Sequence, residues 1–369
     1  MRPCSSWLCV LPIFLLCGLP GPVVAQVAGS PSAAPVQPEK HPPLNVDRDP
    51  VASPDGENGS PGQTPNSGVI GRDNGRYTLQ RNVDEVVLNA TVLDDHQHMV
   101  TTLAKDDFKV SEDGVAQTIT SFQHQDIPIS LGILVDNSGS MRTKRQAVNA
   151  SALDLVRASN PDDESFVVNF SDEAYIDQDF TANVNKLRDG LSHIDSKGGT
   201  ALYDAIMASA DYLTKNAKRS KQVLLVITDG EDNASSTSLE ETVRRIQDLQ
   251  GPIVYSIGLL YDDTGGGREA RRAKRALEML ANETGGISFF PKNLAQVDEI
   301  AGEVAKDIRE QYTIGYHSTK PVSQGGFRAI HVEAKAKGYN KLIVRTKTGY
   351  YPSNKRASAA APPKGAASN

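Results

Sequence analysis

Between residues 129 and 309, short apolar runs alternate with stretches whose apolar residues recur at helical spacing. The runs are 129–135, 165–170, 174–179, 222–228, 252–260 and 287–290. Between them, Val148, Ala152 and Leu155 share one helix face, and Leu202, Ala205, Ile206, Ser209 and Leu213 share another. A third helix opens with a capping box, Ser238 to Glu241, and continues through Val243, Ile246 and Leu249. Ala273, Ala276, Leu277, Leu280 and Ala281 mark a fourth; Val297, Ile300, Val304 and Ile308 mark a fifth. Strands separated by helices close into a parallel sheet, because each crossover must return along the sheet face. The fold class expected is α/β, a doubly wound and mostly parallel sheet with helices on both faces. The runs at 165–170 and 174–179 are too close for a crossover, so they form a hairpin that makes one strand antiparallel.

The polar residues that end these runs carry the chemistry. The run 129–135 stops at Asp136, with Ser138 and Ser140 following around Gly139. The run ending at Thr228 stops at Asp229-Gly230, and a loop Lys197-Gly198-Gly199-Thr200 precedes a helix. Each has an ordinary reading taken alone: Asp and Ser are common in turns, and Thr caps helices. In a doubly wound sheet, however, ligands sit beyond the carboxyl ends of the strands, where strand order reverses. If the two strands are neighbours there, Asp136, Ser138, Ser140, Thr200 and Asp229 converge as five oxygen donors, the chemistry of a hard cation.

Asp136-x-Ser138-x-Ser140 with Thr200 and Asp229 closely resembles the metal-ion-dependent adhesion site (MIDAS) of von Willebrand factor type A (VWA) domains. The resemblance covers about 126–312, and none of the five positions departs from the pattern. It implies a VWA/Rossmann-like fold and a bound Mg²⁺, with Ca²⁺ or Mn²⁺ as alternatives. Ser138, Ser140 and Thr200 would ligate through hydroxyls, and Asp136 and Asp229 directly or through water. The open position then takes a carboxylate from a protein partner. The partner-facing rim is expected to include Asn137, Met141, Arg142 and residues 171–173 and 231–233; the glycine-rich loop 262–268, ahead of a basic helix start, reads as a solvated loop, with a specificity loop on the rim as the alternative. Asp107-Phe108-x-Val110-x-Glu112-Asp113-Gly114, Tyr312-x-Ile314-Gly315-Tyr316 and Arg345-x-Lys347-x-Gly349-Tyr350-Tyr351 resemble the exported VWFA-related proteins of acidobacteria.

The flanks have a different texture. Residues 83–93, 108–110 and 116–122 read as strands, with a turn at Glu112-Asp113-Gly114; 311–317, 328–333 and 342–346 read as strands on the other side. Neither flank holds enough strands for a core, so 77–127 and 311–352 are expected to form one sandwich-like module around a VWA domain at 128–310. His96 and His98 suit a metal pair on one strand face, but a solvated turn is the favoured reading.

Residues 1–25 read as a signal peptide: Arg2, an apolar stretch 7–19, and Val23-Val24-Ala25 before the cut. Cys4, Cys9 and Cys17 all fall within it, so the mature chain has no thiol chemistry; Leu16 before Cys17 argues against lipidation. Residues 26–76 and 353–369 read as disordered linker and tail, rich in Pro, Gly, Ser and Ala. A net charge of −6 without a basic stripe excludes nucleic acid as a natural partner. The mature chain has no apolar run able to span a membrane, which makes the protein periplasmic or secreted.

Enzymatic readings fare worse. The second acid of an Asp-x-Asp phosphatase is replaced by Ser138, neither serine lies in Gly-x-Ser-x-Gly, and there is no His-Glu-x-x-His or phosphate-cradling loop. The expectation is therefore an exported, non-enzymatic module that captures an acidic residue through its cation. A Mg²⁺-dependent hydrolase and a structural subunit of an envelope complex are the alternatives.

Overall fold

The structure, a computed structural model, describes residues 85–260 and 267–352, together with the backbone of 45–46, 70–73 and 76–79. The signal peptide with its three cysteines, most of the 26–76 linker, most of the glycine-rich loop at 262–268 and the tail lie outside the described residues.

In chain order the strands begin with three short pieces, β1 (Asn45–Val46), β2 (Ile70–Asp73) and β3 (Arg76–Leu79). They continue as β4 (Glu85–Leu93), β5 (Phe108–Glu112), β6 (Val115–Gln117) and β7 (Ile119–Gln123). The α/β segment follows: β8 (Ile129–Asp136), α1 (Arg145–Ala158), β9 (Glu164–Phe170), β10 (Ala174–Thr181), α2 (Val184–Leu191) and α3 (Leu202–Asn216). Next are β11 (Lys221–Thr228), α4 (Leu239–Leu249), β12 (Ile253–Gly258), α5 (Arg268–Thr284), β13 (Ser288–Phe289) and α6 (Gln296–Arg309). The chain closes with β14 (Tyr312–His317), β15 (Arg328–Ala334), β16 (Ile343–Arg345) and β17 (Gly349–Tyr350).

The central sheet runs β1-β10-β9-β8-β11-β12-β13. Strands β9, β8, β11, β12 and β13 are parallel, and β10 is antiparallel to β9, the expected hairpin. One detail differs: β1, from the segment read as linker, pairs parallel with β10, so two strands rather than one oppose the rest. Every residue of β8 is buried, as a strand covered by helices on both faces requires. Leu131, Ile133 and Val135 face a core with Val148, Leu155, Leu187, Val304 and Ile308 of α1, α2 and α6. Leu134 turns to the other core, with Leu202, Ile206, Ile246 and Leu277 of α3, α4 and α5. Helix α2 has no counterpart among the sequence-predicted helices; it is eight residues long with three buried positions, too short for a clear period.

Strands from the two flanks interleave. One sheet is β16-β4-β14-β7 and the other β17-β15-β5-β6, so each draws strands from both sides of the α/β segment. Their facing side chains form one core that includes Leu88, Val110, Tyr312, Ile314 and Val332. Within it the Phe108 ring lies 5.4 Å from Phe122 and 5.0 Å from Tyr312. β5 and β6 join through Asp113 and Gly114, whose φ of 49° and 79° give the two-residue turn that matches strand twist. His96 and His98 lie in an exposed turn, where their amides donate to Asp94 Oδ1.

The two modules meet at a buried carboxylate. Asp307 of α6 accepts two bonds of 2.6 Å from Arg345 Nη2 of β16, one of 3.1 Å from Thr91 Oγ1 of β4, and one of 2.6 Å from the Tyr255 hydroxyl of β12.

Candidate metal centre

β8 lies between β9 and β11, so the crossovers leaving it go to opposite sides and its carboxyl end opens a crevice. Asp136 stands there, fully buried. Its Oδ1 accepts from the Ser138 amide at 2.8 Å, a side-chain bond two residues on that bends the loop. Its Oδ2 accepts from the Thr228 hydroxyl at 2.6 Å. Register explains that contact: Ile227 pairs with Val135, so the last residues of the two strands fall side by side. Burial raises the Asp136 carboxyl above its ordinary value; the bonds from Thr228 and Ser138 oppose this, and the Asp229 charge adds to it.

The remaining oxygens are linked outward from Asp136. The Ser138 and Ser140 hydroxyls are 3.0 Å apart, and Ser140 Oγ donates to Asp229 Oδ1 at 2.7 Å. The other Asp229 oxygen, Oδ2, accepts from Lys144 Nζ at 2.9 Å. Thr200 arrives from the loop before α3. It is buried, and a Cβ built on Gly230 would stand 3.7 Å from its hydroxyl, so the hydroxyl borders the Asp229-Gly230 turn. Four of the sequence-predicted residues are thus linked by hydrogen bonds, Asp136 through the Ser138 amide and the other three through their side-chain oxygens, and Thr200 sits beside them.

The Gly-Gly-Thr loop is braced from two sides, and the glycines make room for the braces. Gly198 has φ +79°, and a Cβ there would come within 2.2 Å of Asp172 Oδ2. A Cβ on Gly199 would meet Asn233 Oδ1 at 2.6 Å. In their absence Asp172 Oδ1 accepts from the Gly199 amide at 2.7 Å, and Asn233 Oδ1 from the Thr200 amide at 2.9 Å. The Asn233 amide returns a bond of 3.0 Å to the Thr200 carbonyl. Asp232 accepts from the Tyr203 amide at 3.1 Å, tying the loop after β11 to the start of α3.

The rim differs from expectation at several positions. Met141 is fully buried in the core shared by α1 and α6, because the short 3₁₀ turn at Gly139–Thr143 rolls its side chain inward. Arg142 stays at the surface and donates to the Ser196 carbonyl at 3.1 Å, and Glu231 pairs with Arg272 of α5 at 3.2 Å. Asp172, Asp232 and Asn233, expected to face a partner, spend their side chains on loop geometry.

Sequence reading missed Lys144 and Thr228. Lys144 lies four residues after Ser140 in a stretch entering a helix, a spacing that returns to one face. Thr228 is the hydroxyl that ends an apolar strand beside another strand ending in an acid.

Three hydroxyls and two carboxylates make a donor set suited to a hard divalent cation. Among the described residues, no three His, Cys, Asp or Glu side chains are grouped to hold a metal. This set is of another kind, because most of its donors are neutral.

An α/β sheet with neutral and acidic oxygens at its switch point defines a class of domain, and the family comparison agrees. Residues 131–231 match the von Willebrand factor type A domain, and this segment is such a domain. It is a protein-interaction module of the adhesion type. The chain is 24% identical over 225 residues to inter-alpha-trypsin inhibitor heavy chain H4 of Bos taurus, a match covering 55% of this chain and 24% of that protein's length. The chain therefore spans about a quarter of the curated relative it matches. Among solved structures, a von Willebrand factor type A protein from Catenulispora acidiphila aligns over 74% of each chain, at 12% identity and a TM-score of 0.43. An aerotolerance-related membrane protein from Bacteroides fragilis aligns over 49% of this chain and 98% of its own, at 20% identity and a TM-score of 0.41. Among the described residues, no helix is long and apolar enough to cross a membrane.

Proposed function

We propose that this protein is an exported, non-enzymatic binding module that captures an Asp or Glu side chain of a protein partner through a divalent cation. The observation that carries the reading is the linked set Asp136, Ser138, Ser140 and Asp229, with Thr200 beside it, at the carboxyl edge of a switch point. Ser138, Ser140 and Thr200 would hold Mg²⁺, or Ca²⁺ or Mn²⁺, through neutral hydroxyls, and Asp136 and Asp229 would orient that shell. A cation held by few charged ligands keeps net positive charge and offers a coordination position to an external carboxylate.

The other residues have supporting roles. Thr228 fixes the Asp136 carboxylate, Lys144 fixes that of Asp229, and Asp172 and Asn233 hold the Thr200 loop. Exposed Arg142 and the Glu231–Arg272 pair on the rim set charge around the entrance. The proposed organisation of the chain places this domain at 128–310, with the joint sandwich carrying it and a cleaved signal peptide directing export.

Affinity capture from envelope extract tests the reading, performed with Mg²⁺, with EDTA, and with the Asp136→Ala variant. Partners should be retained with Mg²⁺ and lost in the other two conditions. Equal retention in all three sinks the metal-dependent model.

A further inference from the structure

At the opposite end of the central sheet, a cavity of about 200 Å³ lies between the α/β segment and the sandwich. Its walls include Asn89 of β4 and Lys347, from the sandwich side, and Ser220, Gln222, Gln250 and Thr284 from the other. Gln222 and Asp229 are seven residues apart along one extended chain, so the cavity lies roughly 23 Å from the candidate metal centre.

Its chemistry is one-signed. No Asp or Glu lines it, and Lys347 supplies a cation. A smaller adjoining pocket shares Lys347 and includes Glu283. That carboxylate is engaged by Gln247 Nε2 at 2.9 Å and by the Thr348 hydroxyl. Among the described residues, no carboxylate lies within ion-pair distance of Lys347. Its Nζ is 5.8 Å from the centre of the Tyr350 ring, a weak contact for an ammonium. The Lys347 side chain is half-buried, and this partial desolvation pushes its ammonium down to about 8, with no acidic neighbour to hold it up. Asn89 Oδ1 accepts from the Thr313 hydroxyl at 3.3 Å, which leaves its amide nitrogen for the cavity. The exposed Ser220 and half-buried Gln222 side chains make no hydrogen bond among the described residues, so both are available to a ligand at the cavity mouth. A half-buried ammonium with no acidic partner, lining the same space as neutral donors, is complementary to a small anion.

We infer that this cavity is a binding site for a small oxyanion, a carboxylate or phosphate, held by Lys347 with Asn89, Ser220 and Gln222. The volume is below the about 300–1,000 Å³ of drug-sized pockets, which limits the ligand to a few heavy atoms beyond its anionic group. Because the donors come from both modules, the ligand clamps the junction between them. The site is independent of the metal-dependent reading.

The test is a thermal-shift and calorimetric panel on the full chain at fixed ionic strength. Its probes are inorganic phosphate, sulfate, succinate and citrate, with succinamide as the neutral control. At least one anion should raise Tm by 2 °C or more while succinamide does not. Phosphate and sulfate against succinate and citrate distinguish the two anion sources. Lys347→Gln should weaken that anion tenfold or more, whereas Asp136→Ala should bind it as the wild type does. Should Lys347→Gln fail to fold, Asn89→Ala is read instead, with at least a threefold loss expected. A wild-type protein indifferent to every anion, or variants at Lys347 and Asn89 that bind within twofold of it, would overturn the assignment.

Discussion

Lys144 Nζ donates to Asp229 Oδ2 at 2.9 Å, with the two side chains 8% and 0% exposed. The opposite oxygen of the same carboxylate takes the Ser140 hydroxyl, so Asp229 is shared between an internal cation and the candidate metal centre. Removing the lysine leaves a buried carboxylate unpaired. Lys144→Met should therefore cost about 3 kcal/mol in EDTA, read by urea unfolding. The freed charge should also tighten Mg²⁺ binding tenfold or more by calorimetry. If both quantities stay at wild-type values, the pair has no part in setting the site's charge.

Thr228 acts on the other acid. Replacing it with Val keeps the shape but leaves Asp136 Oδ2 without the donor that now stands 2.6 Å away. The expected loss is about 1–3 kcal/mol, the cost of an unsatisfied buried acceptor. Weaker Mg²⁺ affinity should accompany it, because the carboxylate is no longer held in one rotamer. Chemical denaturation and a Mn²⁺ titration measure the two effects separately.

The junction of the modules depends on Asp307. Its four bonds come from Arg345, Thr91 and Tyr255, which belong to three different strands. Arg345→Met breaks a pair whose side chains are 17% and 9% exposed, and should cost about 3–5 kcal/mol. The same loss should appear whether unfolding is followed in the sandwich or in the α/β segment. Two separated transitions, with only one shifted, would mean that the contact does not couple them.

Lys221 gives a pH signature. Burial pushes its ammonium down from 10.5 to about 8, against the opposing pull of Asp307, Asp126 and Asp163. Below pH 8 both folded and unfolded chains carry the charge, and the burial cost is fully present. Between 8 and 10.5 the unfolded chain binds the extra proton, so this group makes stability rise with pH; above 10.5 the cost is gone. Lys221→Met should raise stability at pH 7 by about 2 kcal/mol, after allowing for the lost bond to the Ile308 carbonyl. The gain should vanish by about pH 11. An equal gain at both pH values would assign it to packing instead.

Much of the fold is legible because burial leaves periodic marks. β8, β9 and β11 are buried on both faces and read as mostly apolar runs, and the structure extends each run by a residue or less at either end. Helix α4 announced its start through the Ser238–Glu241 box, where Ser238 Oγ accepts from the Glu241 amide and Glu241 Oε2 from the Ser238 amide. Helix α2 and strand β1 left no such mark, being short and placed at the sheet's edge. Met141 was misread for a related reason: position along a loop says nothing about the direction in which a tight turn rolls a side chain.

The sequence by itself determined the order of strands and helices and the oxygen residues that end particular strands, because covalent spacing and hydrophobic period are local properties. Which strand ends lie side by side is a property of sheet order and register, and the tertiary structure alone decided it. Val135 pairs with Ile227, which places Thr228 on Asp136 and Asp229 on Ser140 and Lys144. The same holds for the cavity at the far end. Asn89, Gln222 and Lys347 are separated by more than a hundred residues each way, and only the packing of sandwich against sheet sets them around one space.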